Sequence, residues 1–173
     1  MKIFYFAHSD SKTTVKRTMA VARNTTKTSL LDAVYINNSG GKILLDYLVD
    51  EIEKNRINVF YLFDDRCKSS FTKIPENRKL FVKNSMLIRY KFYKRNRKKF
   101  QKVICFANLP PFLRLKNAIV GTYFHNTLIV DPPMNYTLSR KVYVYIQRAI
   151  VLFFKRNSNY WFVQSNNVKE LIL

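Results

Sequence analysis

The sequence predicts an α/β fold: a Rossmann-like open, mostly parallel sheet with helices on both faces. Residues 34–65 follow the order strand, Gly-Gly turn, amphipathic helix, strand, which is a βαβ unit. Further apolar runs have the length and residue types of strands that are buried on both faces. These runs alternate with helical patterns or loops, as the strands of a parallel sheet do.

The βαβ unit begins with Val34, Tyr35 and Ile36, which predict a strand because they are β-branched or aromatic and precede a run of turn formers. From Lys42 the apolar residues recur at helical spacing, with polar residues on the other side. Residues 59–63 form a continuous apolar run and predict the next strand. The apolar helical face consists of Leu44, Leu45, Leu48 and Ile52.

Gly40 and Gly41 lie between the first predicted strand and the helix, and they have two interpretations. A sharp strand-to-helix turn needs either a positive φ or a close backbone approach, and glycine permits both. Alternatively, the turn lies where parallel strands bind ligands, with N–H groups at the helix start facing an anion. The spacing is not GxGxxG, so a dinucleotide fingerprint is not supported.

A basic helix is predicted at residues 85–100, after a short strand at residues 79–82. A solvated surface explains any single lysine on this helix. Five cations gathered on one side favour a surface that contacts phosphates or lipid headgroups. The five are Lys91, Lys94, Arg95, Lys98 and Lys99.

Later strands are predicted at residues 103–106, 119–123 and 161–163. His125 and Asn126 follow the second of these and are therefore expected at the carboxyl end of a strand. Open α/β sheets place their chemistry at that edge, so His125 is predicted to face a cleft, and the alternative is a histidine packed in the core.

A second long helix is predicted at residues 138–154, with a stripe that is expected to face the core and a basic seam on the other side. Burial by neighbouring elements is the preferred interpretation of the stripe, and contact of the seam with an anionic membrane stays open. The stripe consists of Leu138, Val142, Tyr145, Ile146, Ala149 and Phe153, and the basic seam consists of Arg140, Lys141, Gln147, Arg148 and Lys155.

The domain prediction divides the chain at residue 31. Residues 1–31 are either an N-terminal extension or an extra βα element, and residues 32–173 form the Rossmann-like lobe. Ser165 is a candidate N-cap for a last helix. The chain ends about two turns into that helix, so the lobe is expected to be truncated.

The net charge of +20, from 31 Lys and Arg against 11 Asp and Glu, favours a polyanionic partner. Nucleic acid and an anionic membrane surface both fit this charge. Two cysteines are too few for a disulfide scaffold, and no metal-binding spacing or cofactor motif is present. We expect a cytoplasmic protein without cofactor or metal, with a peripheral position on the inner face of the membrane left open.

The order of these elements resembles the N-terminal half of a retaining GT-B glycosyltransferase that uses nucleotide sugars. The segments that carry the resemblance are INNSGGKILLDYLVDEIEK, NVFYLFDDR, KVICFANLPP, VGTYFHN and YWFVQSNNVKELIL. The resemblance implies a single GT-B-type lobe that holds the acceptor, which is lipid-linked or a polysaccharide. By the same resemblance His125 matches the histidine near the reacting sugar, and Gly40 and Gly41 match the loop at the cleft. Asn126 and Ser165 are the further substrate-binding candidates.

The chain departs from this family in one respect. Family members carry a Glu-x7-Glu motif in a second lobe that binds the donor, and this chain has neither. The isolated chain is therefore expected to be inactive, as a fragment, a disrupted gene product or a subunit that needs a partner. The alternatives are a basic nucleic-acid-binding module and a non-catalytic lobe that binds a membrane or an acceptor. No RRM, KH, zinc or helix-turn-helix signature supports the nucleic-acid module.

Overall fold

The structure of the protein is a computed structural model, and it describes residues 2–5, 28–124, 137–163 and 169–170. In this part of the chain seven strands form one sheet, and every pair of neighbouring strands is parallel. The strands are β1 (Lys2–Tyr5), β2 (Ser29–Ala33), β3 (Val59–Asp64), β4 (Lys79–Val82), β5 (Lys102–Cys105), β6 (Ile119–Phe124) and β7 (Tyr160–Val163). Their order across the sheet is β1-β7-β6-β5-β2-β3-β4. The predicted α/β class with an open parallel sheet is confirmed.

The described residues include the helices α1 (Ser39–Lys54), α2 (Met86–Asn96) and α3 (Leu138–Phe154). The start of α2 is capped by Ser85, whose side chain accepts a hydrogen bond from the backbone N–H of Ile88 at 3.4 Å. At the end of α1 the side-chain amide of Asn55 donates to the carbonyl of Glu51 at 2.7 Å. This bond satisfies one of the carbonyls that a helix leaves open at its last turn.

The helices cover both faces of the sheet, as the continuous apolar strands predict. Leu30 and Leu31 are consecutive on β2, so their side chains point to opposite faces. Leu31 belongs to the core beneath α1, together with Leu45 and Leu48 of that helix. Leu30 belongs to the core beneath α2, together with Phe92.

α3 packs on the same face of the sheet as α2. Val120 of β6 lies in the core beneath α2, and Phe124 of the same strand packs with Val151 of α3 and Trp161 of β7. Residues 120 and 124 are an even number of positions apart on one strand, so their side chains share a face. The helices α2 and α3 therefore lie side by side, and α1 lies on the opposite face.

The strand predicted at residues 34–36 is wrong, because the strand of the βαβ unit is Ser29–Ala33. Val34 and Tyr35 form a turn, in which Tyr35 has a φ of 86° and the N–H of Ile36 bonds to the carbonyl of Ala33 at 3.1 Å. Asp32 interrupts the apolar run from Leu30 and so conceals the strand in the sequence. The domain boundary predicted at residue 31 falls inside β2, and β1 is hydrogen-bonded to β7 in the same sheet.

The core-facing stripe predicted for residues 138–154 is also wrong, although the bounds of that helix are confirmed. Val144 and Val151 are its buried residues, and they lie on the side that also carries the basic seam. The predicted stripe faces outward: Leu138 is 79% and Phe153 is 80% exposed. α3 rests on β6 and β7, where Val151 packs with Phe124 and Trp161.

Candidate functional site at the carboxyl edge of the sheet

The strand order reverses between β2 and β5. From β2 the chain proceeds outward to β3 and β4, and it then returns to place β5, β6 and β7 on the other side of β2. In open α/β sheets such a reversal leaves a crevice outside the carboxyl ends of the two strands, and ligands bind there. The crevice of this protein is bordered by the turn at residues 34–38 after β2 and by the segment at residues 106–110 after β5.

Two carboxylates at the ends of adjacent strands hold the turn after β2. The N–H of Val34 donates to Asp32 Oδ1 at 3.3 Å, and the N–H of Tyr35 donates to Asp64 Oδ2 at 3.3 Å. Both carboxylates are buried, Asp32 near the end of β2 and Asp64 at the end of β3. These bonds fix the backbone of Tyr35 in the left-handed conformation, which a non-glycine residue adopts only where its surroundings stabilise it.

Arg66 completes the environment of Asp64. Its Nε and Nη2 atoms donate to the two carboxylate oxygens of Asp64 at 2.8 and 2.7 Å, and its backbone N–H donates to Oδ1 at 3.1 Å. Burial disfavours the ionised form of Asp64, but these hydrogen bonds and the bond from Tyr35 outweigh it, so the pKa of Asp64 lies below its ordinary value.

Beneath the crevice Arg89 of α2 forms a buried ion pair with Asp32, with Nε 2.7 Å from Oδ2. Its Nη1 donates to the carbonyl of Pro110 at 3.0 Å, and its Nη2 donates to the carbonyl of Leu109 at 2.8 Å. One guanidinium therefore joins β2 to the segment after β5. Burial alone would lower the pKa of Arg89, but the charge of Asp32 more than reverses this effect and raises the pKa above its ordinary value.

Tyr93 and Cys105 complete this buried cluster. The Tyr93 hydroxyl donates to Asp32 Oδ2 at 2.5 Å and lies 3.5 Å from the sulfur of Cys105. Burial raises the pKa of Tyr93 well above its ordinary value and raises the pKa of Cys105 to about 12. Both groups are therefore neutral at physiological pH. The cluster is a rigid support for the crevice and offers no nucleophile.

Tyr35 is the residue of the turn that has an unsatisfied polar group. Its hydroxyl oxygen is buried and has no hydrogen-bond partner in the described part of the chain. Burial raises the pKa of this phenol to about 12, so it stays protonated and able to donate. A buried hydroxyl without a partner is energetically costly, so Tyr35 is a donor that the fold leaves unsatisfied beside the crevice.

Gly40 and Gly41 lie in the first turn of α1, so the loop expected at this position is the start of the helix. A Cβ atom added at Gly40 would have no heavy atom within 4 Å, and neither glycine has a positive φ. The left-handed φ angles fall instead on Tyr35 and Ser39. The steric interpretation of the glycines is therefore wrong at Gly40, which is exposed at the first turn of α1.

The other predicted site residues divide into two groups. His125, Asn126 and Ser165 lie outside the described residues; in the sequence His125 directly follows Phe124, the last residue of β6. The five predicted cations are all exposed, but α2 ends at Asn96, so Lys98 and Lys99 belong to the turn after it. Lys99 Nζ lies 4.8 Å from the centre of the Phe60 ring.

Sequence reasoning missed Arg89, which is the central residue of the support beneath the crevice. A signal for it was present: Asp32 stands within an apolar run, and a buried carboxylate needs a partner of opposite charge. Arg89 and Tyr93 are four residues apart, so on a helix they share one face and reach the same carboxylate.

Comparisons with protein-family models, with curated proteins and with solved structures found no match. None of the described helices is long and apolar enough to span a membrane. The described residues also contain no group of three or more His, Cys, Asp or Glu side chains that could hold a metal ion.

Proposed function

We propose that the protein is the acceptor-binding lobe of a sugar transferase that uses a nucleotide sugar and acts on a lipid-linked or polysaccharide acceptor. The observation that carries the proposal is the reversal of strand order between β2 and β5 in an all-parallel sheet. That reversal creates a ligand crevice beside the first turn of α1, where free backbone N–H groups are available to a phosphate or a sugar hydroxyl.

The position of His125 in the chain supports the same site. His125 directly follows β6, and β6 is separated from β2 by β5 alone. Neighbouring strands are about 4.8 Å apart, so the carboxyl ends of β6 and β2 are about 10 Å apart. A single sugar unit bridges such a distance, with the turn after β2 and the start of α1 on one side and the carboxyl end of β6 on the other.

The proposed chemistry is transfer of a glycosyl group to an acceptor hydroxyl. The bond between the anomeric carbon and the donor diphosphate breaks, a bond from that carbon to the acceptor oxygen forms, and the hydroxyl proton leaves with the nucleoside diphosphate. In this reaction a neutral His125 hydrogen-bonds a sugar hydroxyl and so stabilises the transition state. Loss of one such contact typically costs a factor of about 10² or more in rate.

Two surfaces on one face of the molecule support action at a membrane. α2 and the turn after it expose five cations, and neighbouring α3 exposes an apolar stripe. Exposed cations attract anionic headgroups, and an exposed apolar helix face inserts at the boundary between headgroups and acyl chains. We therefore propose that the protein acts at the cytoplasmic face of a membrane.

The test of the acceptor site measures binding of the protein to a polyprenyl-diphosphate-linked saccharide in nanodiscs. We expect His125→Ala to weaken binding about tenfold and, with a donor-binding lobe supplied by fusion, to reduce transfer of a labelled sugar about 10²-fold. His8→Ala is the matched control, because it removes the only other histidine of the chain. Equal effects of the two variants, or equal binding to nanodiscs without saccharide, would contradict the proposal.

The test of the membrane surface is sedimentation with anionic and with neutral vesicles at increasing salt. We expect binding to the anionic vesicles, weakening with salt, and loss of binding in Lys91→Gln/Lys94→Gln/Lys98→Gln. The control Lys54→Gln/Arg56→Gln/Lys68→Gln removes the same charge from exposed positions outside α2 and α3. Tight binding to single-stranded RNA with no binding to vesicles would favour the nucleic-acid-binding module instead.

A further inference from the structure

A cavity of about 340 Å³ opens at the amino edge of the sheet, opposite the crevice described above. Its lining comes from two segments: residues 114–118 lead into β6, and residues 156–159 lead into β7. The lining includes Arg114, Lys116 and Arg156 and contains no carboxylate.

The three cations have no ion-pair partner in the described part of the chain. By contrast, Arg66, Arg78 and Arg89 each form an ion pair with an acidic side chain. Like charges that surround one cavity repel each other, and the repulsion is relieved when an anion binds among them. The lining of this cavity is therefore electrostatically complementary to an anion.

The walls of the cavity are held in place by bonds to the sheet and to each other. Asn159 bonds twice to Val120, through its N–H to the Val120 carbonyl at 2.8 Å and through Oδ1 from the Val120 N–H at 2.8 Å. The side-chain amide of Asn157 donates to the carbonyl of Pro111 at 2.8 Å, which joins the second segment to the chain just before the first. The aromatic rings of Phe112 and Phe154 lie in edge-to-face contact at 4.9 Å.

We propose that this cavity binds the phosphate group of a phosphomonoester or diphosphate. Arg114 and Arg156 supply planar guanidinium groups that match phosphate oxygens in pairs, and Lys116 adds a compact charge. The side-chain amide nitrogen of Asn159 has no partner in the described residues and is a further donor. The volume is at the lower end of the range for small-molecule sites, about 300–1,000 Å³, so the ligand is larger than a bare phosphate ion.

The site is separate from the carboxyl-edge crevice and does not rest on the proposed transfer of sugar. β6 has six residues, so at a rise of about 3.3 Å per residue its first and last Cα atoms are about 17 Å apart. A ligand in the cavity therefore cannot be the sugar that reacts at the crevice. Its phosphate group belongs either to a free metabolite or to a lipid headgroup.

The test measures binding of pyrophosphate and of glucose 1-phosphate by calorimetry, and binding of phosphatidic acid vesicles by sedimentation, at constant ionic strength. We expect Arg156→Gln to weaken binding about tenfold or more, because it removes a hydrogen bond to a charged group. The cavity variant, which combines Arg114→Gln, Lys116→Gln and Arg156→Gln, should lose binding altogether. Binding of the two soluble compounds assigns a free metabolite. Binding of the vesicles alone assigns a headgroup if the cavity variant loses it and Lys54→Gln/Arg56→Gln/Lys68→Gln keeps it, and vesicle binding that the cavity variant retains in full would overturn the proposal.

The control is Lys91→Gln/Lys94→Gln/Lys98→Gln, which removes the same charge from α2 and the turn after it. We expect this variant to bind the two soluble compounds as the wild type does. Equal weakening in the control and in the cavity variant would show that only the net charge matters, and would overturn the proposal. Absence of binding in the wild-type protein to every probe would overturn it as well.

Discussion

The guanidinium of Arg89 and the carboxylate of Asp32 form an ion pair in the interior of the protein, with Nε and Oδ2 2.7 Å apart and both side chains buried. Arg89 comes from α2 and Asp32 from β2, 57 positions apart in the sequence. The pair fixes α2 against the sheet next to the point where the strand order reverses. It also bonds the segment after β5 through the carbonyls of Leu109 and Pro110.

The losses of stability from removing the two partners of this pair should not be additive. We expect Arg89→Met to lower the free energy of unfolding by about 3–5 kcal/mol, because it leaves the Asp32 carboxylate buried without its cation. Asp32→Asn/Arg89→Met should lose less than the sum of the two single variants. Urea denaturation of the four proteins measures the coupling. Additive losses would show that the two side chains do not interact.

Asp64 should make the stability of the protein depend on pH in the acid range. Its pKa in the folded protein lies below the ordinary value of 3.8, so its contribution is fully present above that value. The contribution is lost as the pH falls through the lowered pKa, because folding then no longer favours the ionised form. Urea denaturation at several pH values gives the free energy of unfolding. This free energy should decrease less steeply with falling pH for Asp64→Asn than for the wild type. Arg66→Gln should show part of the same effect, because it removes the hydrogen bonds that lower the pKa of Asp64. If the free energy of unfolding of both variants depended on pH as it does in the wild type, the prediction would be contradicted.

Gly121 and Gly40 should respond in opposite ways to replacement by alanine. A Cβ atom at Gly121 would lie 2.8 Å from Cε2 of the buried Phe162 ring, so Gly121→Ala should cost about 1–3 kcal/mol of stability through overpacking. Gly40→Ala adds its methyl group to open space within α1, so it should stabilise by up to about 1 kcal/mol. Thermal unfolding of the two variants tests this, and a loss at Gly40 equal to that at Gly121 would be inconsistent with the structure.

The two cysteines should resist alkylation in the folded protein. Burial raises the pKa of the Cys105 thiol to about 12 and also raises the pKa of Cys67, and both side chains are buried. The thiolate is the reactive form, so iodoacetamide at mildly alkaline pH should label neither residue. Mass spectrometry should show two labels in concentrated guanidinium chloride. Rapid labelling of the native protein at either position would contradict the structure of the core.

The sheet was predictable because its signals are local. Residues 79–82 have the strand bounds that the structure shows, and the other apolar runs agree to within one or two positions, because a strand buried on both faces must be apolar throughout. The strand of the βαβ unit was misplaced because Asp32 interrupts its run. The charge of Asp32 is compatible with burial only because Arg89 pairs with it. No local pattern in the sequence places Arg89 beside Asp32.

By itself, the sequence determined the α/β class, the helix at residues 138–154 and the strong positive charge of this protein. These follow from residue type and periodicity, which act over a few neighbouring positions. Only the tertiary structure decided which face of α3 is buried, because the apolar stripe and the two valines opposite it are both compatible with a core. It also decided that Arg114, Lys116 and Arg156 surround one cavity, since the starts of β6 and β7 become neighbours only when the sheet forms.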